Sequence, residues 1–449
     1  MPKEQYQESR RGFLKRAGVL AAGAALPAWF IEEQRGHAAP AEPKSANDRL
    51  RIALVGCGGR GSGVARDAMR FGDMVAVCDV DRGHAEGAAR EMKAEHAFTD
   101  FRKVMDLGEV DVIVNGTPDH WHTLVSLAAV KAGKDVYSEK PLTLTIDEGQ
   151  RLVAAVREAG RVLQTGTQQR SDGRFRLACE LVRNGRIGKL EQVTTWLPAG
   201  LREGPFKPEP VPEGLDWDFW QGQTPAVEYV PQRCHVTFRY WYEYSGGTIT
   251  DWGAHHNDIA FWATGYDRSG PVAVEAKPLV EMIPGGYTAY SDYRIEYTYK
   301  NGVRHVCESE RYDNIFGGAV SEPPAGKFRH GVRFDGTEGW IYVTRGRMEA
   351  SKPELIKEPL PANAERLYAS NDHMGNFVEC VRSRKAPICD VEIGHRSASI
   401  CHLAVISLML GGRKLQWDPD KEAFVGDAEA QKLVARPMRM PYDYSLVGL

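Results

Sequence analysis

Two rhythms of apolar and polar residues divide the chain. Between residues 50 and 165, short solid apolar runs at 50–55, 74–78, 110–114, 135–138 and 161–165 alternate with stretches of helical length. The runs read as buried strands. The stretches read as helices that begin at Ser62, span 117–133, and begin again at Thr145, where Thr145 and Glu148 form a capping box. Such strand–helix alternation predicts a parallel, doubly wound sheet, whose ligands belong at the carboxyl ends of its strands. From 271 to 350 the rhythm changes to apolar and polar positions in turn, as in YRIEYTYKNGVRHVCESE, where Asn301-Gly302 is a hairpin signal. Residues 334–346 hold another turn between strands, and 371–383 and 395–410 read as closing helices packed back on the body. An insert at 198–245, rich in proline and aromatic residues, separates the two rhythms.

A chain of 449 residues has room for two domains with full cores. The pattern assigns 1–40 to a leader, 48–167 to a first, α/β domain and 168–449 to a second, α+β domain. In the leader, the only long apolar run, 19–31, follows Arg10, Arg11, Lys15 and Arg16. That run is too short to span a bilayer comfortably, so no stable membrane insertion is expected. Ser9-Arg10-Arg11-Gly12-Phe13-Leu14-Lys15 matches the twin-arginine signal. It predicts the twin-arginine export machinery as a partner, cleavage among Ala38, Ala39 and Ala41, and a periplasmic mature protein. A net charge of −3 with no basic stripe excludes nucleic acid as an expected partner. The eight cysteines do not amount to a disulfide scaffold. Cys57 and Cys78 read as small buried hydrophobes, while Cys307, Cys380, Cys389 and Cys401 are free to pair in an oxidising compartment.

The chemistry-bearing residues sit where strands end. Gly56-Cys57-Gly58-Gly59-Arg60-Gly61 follows the first strand and opens a helix, the context in which GxGxxG is a strong sign of a dinucleotide site. Its glycines let the backbone approach a pyrophosphate at the positive end of the helix. Asp79 closes the second strand, 18 residues after Gly61. A carboxylate there accepts ribose hydroxyls and repels a 2′-phosphate, which favours NAD over NADP, with Arg82 close enough in sequence to blur the preference. The next three strands end in NGTPDHWH (115–122), SEKPL (138–142) and GTQQRS (166–171). In Glu139-Lys140-Pro141 the proline restricts the backbone and holds Lys140 at the cleft mouth, where an ammonium can hold a substrate hydroxyl and stabilise the oxyanion.

Asp251 and His255, four residues apart in GGTITDWGAHHNDIAFWATG (246–265), share one face of a helix. A carboxylate beside an imidazole raises its basicity and orients it as a general base. A metal centre of His255, His256, Asp258 and His120 or His122 is the rival, but no HExxH-type spacing supports it, so no metal is expected. Trp217, Trp220, Tyr240, Trp241 and Tyr242 in the insert form either a platform for the C–H faces of a sugar or the packing of a long loop.

Glycine loop, TPDHWH, EKP and a later Asp-x-x-x-His together resemble the Gfo/Idh/MocA oxidoreductase family, named for glucose–fructose oxidoreductase and inositol dehydrogenase. The likeness covers nearly all of the chain beyond the leader. It implies a Rossmann domain followed by an α+β domain with an open-faced, mainly antiparallel sheet, whose open face predicts a homo-oligomer. Lys140, Asp251 and His255 become the catalytic constellation. Thr117 and Pro118 line the nicotinamide end, His122 stands at the family's histidine position, and Glu139 belongs to the cofactor wall with Gly59 and Arg60. The usual Asn-x-Arg-Phe reads Gln168-Gln169-Arg170-Ser171 here. Gln168 then replaces the asparagine at the cofactor, and the substrate-side contacts stay open, with Arg170, Trp217, Trp241 and His256 as further candidates.

The implied activity is NAD-dependent oxidation of a sugar, cyclitol or glycoside hydroxyl on a tightly held cofactor. One alternative is a redox glycoside hydrolase that oxidises, eliminates, adds water and re-reduces. Another is a sugar-binding protein that has kept a structural dinucleotide. Export sharpens the choice, because no NAD pool exists outside the cytoplasm to recycle the cofactor.

Overall fold

The computed structural model describes residues 26–35, 45, 48–310 and 330–448. Strands β1 (Leu50–Val55), β2 (Gly72–Cys78), β3 (His96–Phe98), β4 (Val112–Asn115), β5 (Asp135–Ser138) and β6 (Leu163–Thr165) form a six-stranded parallel sheet in the order β3-β2-β1-β4-β5-β6. The solid apolar runs are explained by burial on both faces: Ala53 and Val55 enter one core and Ile52 and Leu54 the other. Strand order reverses between β1 and β4, so a crevice opens at the carboxyl ends there. The helix after the glycine loop begins at Gly59 rather than Ser62, and the Ser62 N–H donates to Gly58 O at 2.9 Å. The helix expected over 117–133 is Asp119–Lys131, because Pro118 stays extended at its N-cap. The Thr145–Glu148 capping box forms as expected.

The second sheet has nine strands: β7 (Leu190–Pro198), β8 (Ala273–Pro278), β9 (Tyr293–Thr298), β10 (Arg304–Glu310), β11 (Gly331–Gly336), β12 (Gly339–Thr344), β13 (Arg347–Ala350), β14 (Leu415–Asp418) and β15 (Ala423–Phe424). It is mainly antiparallel, with one parallel pair, β7 on β10. The hydrophobic pattern missed β7, whose last six residues are all buried and carry no alternation. Its neighbour β9 alternates cleanly: Tyr293, Ile295 and Tyr297 face the helices Gly173–Arg183, Gly253–Thr264 and Val391–Met409, while Arg294 and Glu296 pair on the other side. Asn301-Gly302 turns the chain between β9 and β10, with Gly302 at φ +85°. The helix His373–Ser383 crosses back, and its Met374 and Phe377 join the core under the first sheet.

The twin-arginine stretch and the three cleavage alanines lie outside the described residues. Part of the apolar run continues into a helix, Ala28–Arg35, whose Phe30 is fully buried under the Arg176 guanidinium at 4.6 Å. Among the described residues no helix is long and apolar enough to cross a membrane. All eight cysteines are buried and unpaired; Cys307, Cys380, Cys389 and Cys401, open to pairing in the sequence, make no disulfide here.

Candidate active site

A cleft of about 690 Å³ runs along the carboxyl ends of β1, β2, β4 and β5 and is closed on its far wall by the insert and by Trp252, His255 and Arg345 of the second domain. At one end the glycine loop is shaped for close approach. A Cβ on Gly61 would meet Gly56 O at 2.0 Å, whereas Gly58 and Gly59 have nothing within 4 Å. The loop therefore packs tightly against β1 and presents bare backbone to the cleft. Asp79 is pinned by the Cys57 N–H at 2.8 Å and the Asp81 N–H at 2.9 Å, which leaves its remaining lone pairs for ribose hydroxyls. Arg82 does not line the cleft, although its neighbours Asp81 and His84 do. His84 and His235, which the sequence reading did not single out, line the same end beside Asp79 and Asp81. Arg60 pairs with Glu139 at 2.7 Å, tying the glycine loop to the turn after β5. His122 bridges two other turns, with its ring nitrogens 2.6 Å from Pro141 O and 2.8 Å from Thr117 O. Gln168 lines the wall, and its Oε1 is buried without a partner, as is Nδ1 of His255. Bare backbone, a pinned carboxylate and orphaned polar atoms together fit a dinucleotide.

At the other end the catalytic candidates converge, in an arrangement that differs from the expected one. Asp251 does not hold His255. Its carboxylate takes the Lys140 ammonium in a short contact and lies 3.5 Å from Arg239 Nε. The cause is a break in the helix ladder: the His255 N–H donates to Trp252 O at 3.0 Å, which frees Asp251 O to accept from Lys140 Nζ at 3.2 Å. Burial opposes charge on Asp251, yet Lys140 and then Arg239 hold its pKa below the usual value. Burial, followed by repulsion from Lys140 and Arg345, drives the His255 pKa well below 6.5. His255 is therefore a neutral imidazole, the form a general base requires.

Models of two parts of one oxidoreductase family match the chain. The NAD-binding Rossmann fold matches residues 50–167, and the C-terminal alpha/beta domain of the Gfo/Idh/MocA proteins matches 194–444. The chain belongs to this family. Scyllo-inositol 2-dehydrogenase (NAD(+)) of Bacillus subtilis is 25% identical over 355 residues, covering 76% of this chain and 88% of that protein. Glycosyl hydrolase family 109 protein 2 of a Shewanella species is 32% identical over 164 residues, only 31% of this chain and 35% of that protein. Among solved structures, the WlbA dehydrogenase of Bordetella pertussis, in complex with NADH and UDP-GlcNAcA, superposes with a TM-score of 0.61 at 19% identity, covering 82% of this chain and 98% of that one. The first domain of this Gfo/Idh/MocA protein is thus an NAD-binding Rossmann fold.

Four substrate-side candidates lie away from the cleft. Arg170 is 1% exposed and locked to Asp258 at 2.7 and 2.8 Å and to Asp267 at 3.0 Å. His256 is buried between Gln169 and His330. Trp217 stacks on Trp220 and donates to Val227 O, and Trp241 packs against Phe206, Tyr287 and Arg233. Of the proposed aromatic platform only Trp220 reaches the cleft, so loop packing accounts for the rest. The rival metal set does not assemble, because Asp258 serves Arg170 and the His120 ring bonds Trp220 O. Sequence reasoning also missed Arg239 and Arg345. No spacing ties either to the motifs.

Proposed function

We propose that this protein oxidises a CH–OH group of a sugar, cyclitol or glycoside, using NAD held in the cleft. The observation that carries the reading is the meeting of a neutral His255 with the Lys140–Asp251 pair at the closed end of the cleft. His255 takes the hydroxyl proton. Lys140, with one donor left beyond the two given to Asp251, donates a hydrogen bond to the oxygen as it becomes an alkoxide. Asp251 keeps Lys140 charged and aimed. Gly58, Gly59, Asp79, Thr117 and Gln168 hold the cofactor, and NAD, when bound, supplies the hydride acceptor.

The runner-up, redox hydrolysis of a glycoside, is favoured by the match to a glycosyl hydrolase family 109 protein. One assay separates the two: the NAD-loaded protein is incubated with an aryl glycoside and no added cofactor. The oxidoreductase stalls after one turnover with NADH absorbance retained. Sustained release of the aglycone overturns the first reading in favour of the second. Neither signal across a broad panel of sugars would revive the reading as a binding protein.

We also propose export by the twin-arginine route, from the Ser9–Lys15 match. That route carries folded proteins, so NAD is loaded before export. Replacing Arg10 and Arg11 by lysine should leave uncleaved precursor in the cytoplasm, as cell fractionation would read; normal export of the double variant refutes the assignment.

A further inference from the structure

The cations at the closed end of the cleft outnumber the carboxylates that serve them. Arg60 is answered by Glu139. Lys140 and Arg239 share the carboxylate of Asp251, and Asp119 adds a weaker attraction to Arg239. Arg345 lines the same wall, and among the described residues it has no carboxylate partner. Its Nε donates to Gln169 Oε1 at 3.1 Å, and its guanidinium lies 4.7 Å over the Trp252 ring. Both contacts fix the plane of the group, and neither uses its terminal nitrogens. Trp252 itself leans on the His255 ring, centroids 6.2 Å apart, so Arg345 is held beside the proposed base. Desolvation by the cleft walls, and then repulsion from Arg60, lowers the Arg345 pKa, and the weaker attraction of Asp251, Asp172 and Glu139 does not offset them.

We infer that the substrate carries a carboxylate, and that Arg345 is the residue that recognises it. A guanidinium fixed along one edge by Gln169 and on one face by Trp252 presents its outer pair of N–H groups as a fork, which matches the two oxygens of a carboxylate. A uronic or aldonic acid, or a glycoside of one, thus fits this end better than a neutral hexose. The inference rests on the oxidoreductase reading for the identity of the ligand as a sugar, but not for the anion subsite itself. The supporting residues are already braced: Gln169 also donates to His255 O at 3.3 Å, so one side chain aligns the anion subsite and the base together.

The test is equilibrium binding to the purified, NAD-loaded full chain, read by tryptophan fluorescence, because Trp252 lies directly under Arg345. The probes are D-glucuronate and D-galacturonate against D-glucose and D-galactose, with D-glucose 6-phosphate as a second anion. The uronates should bind roughly 10- to 100-fold tighter than the neutral sugars, the worth of a hydrogen-bonded charge pair. Arg345→Gln should erase that preference while NAD stays bound. Equal affinity for acid and neutral sugars, no binding of either uronate, or a preference that survives in Arg345→Gln overturns the inference. Loss of NAD in the variant overturns it too, by assigning Arg345 to the cofactor. A stronger preference for the phosphate than for the uronates refutes the carboxylate. A protein that binds uronates but never reduces NAD would refute the oxidoreductase reading alone.

Discussion

His255→Ala should cut turnover by roughly 100- to 10,000-fold, the usual contribution of a positioned base, while leaving the fold and bound NAD intact. Lys140→Ala should fall in the same range for a different reason. It removes the donor to the developing oxyanion and leaves Asp251 buried with Arg239, at 3.5 Å, as its remaining ion-pair partner. Asp251→Asn should be milder than either, because in this geometry Asp251 aims Lys140 and does not touch His255. The pH profile carries a second check. The His255 pKa lies well below 6.5, so the base is free of its proton at neutral pH and is lost only as the pH falls through that lowered value. The acid limb of kcat/KM should therefore sit below 6.5 and move upward when Lys140, a repelling cation, becomes methionine. Single-turnover NADH formation measures all of these. Full activity in His255→Ala would remove it from the mechanism.

The second large effect is on stability. Arg170→Met should destabilise the protein by about 3–5 kcal/mol, because it strands Asp258, fully buried, without its charge partner. Although desolvation opposes its charge, Asp258 and then Asp267 hold the Arg170 pKa above the ordinary arginine value, which places the pair as an ionised strut between the turn 168–171 and the helix Gly253–Thr264. Ser397 Oγ, 2.5 Å from Asp258, can satisfy only one of its oxygens. Adding Asp258→Leu should recover much of the loss, because a buried pair replaced on both sides costs far less than one broken on one side. Denaturant unfolding decides. A variant that unfolds normally but binds sugar poorly would return Arg170 to the substrate.

How much of this was legible follows from the range over which each feature is determined. The glycine loop, Asp79, the turns after β4 and β5 and the capping box are local: each follows from a strand ending, a proline or glycine restricting the backbone, and a neighbour a few residues away. A single pass along the chain finds them. The same holds for the clean alternation of β9 and the turn at Asn301-Gly302.

What the chain could not declare is which side chains meet across domains. Four-residue spacing suggested that Asp251 serves His255. A lysine 111 residues away claims the carboxylate instead, because the helix ladder opens at that point and offers Lys140 a carbonyl as well. Arg170 sits in a strand-end turn, as ligand-binding residues do, and is turned inward by an aspartate 88 residues on. The aromatic insert has the composition of a sugar platform, but most of its rings are spent on one another. Arg345 sits at the turn of the β12–β13 hairpin, and only the packing of the second sheet against the first domain brings it to the cleft. Sequence periodicity determines which face of an element is apolar, and so the layers and the cofactor cradle. The partner of each buried charge depends on distances between elements far apart in the chain, and these exist only once both sheets are packed.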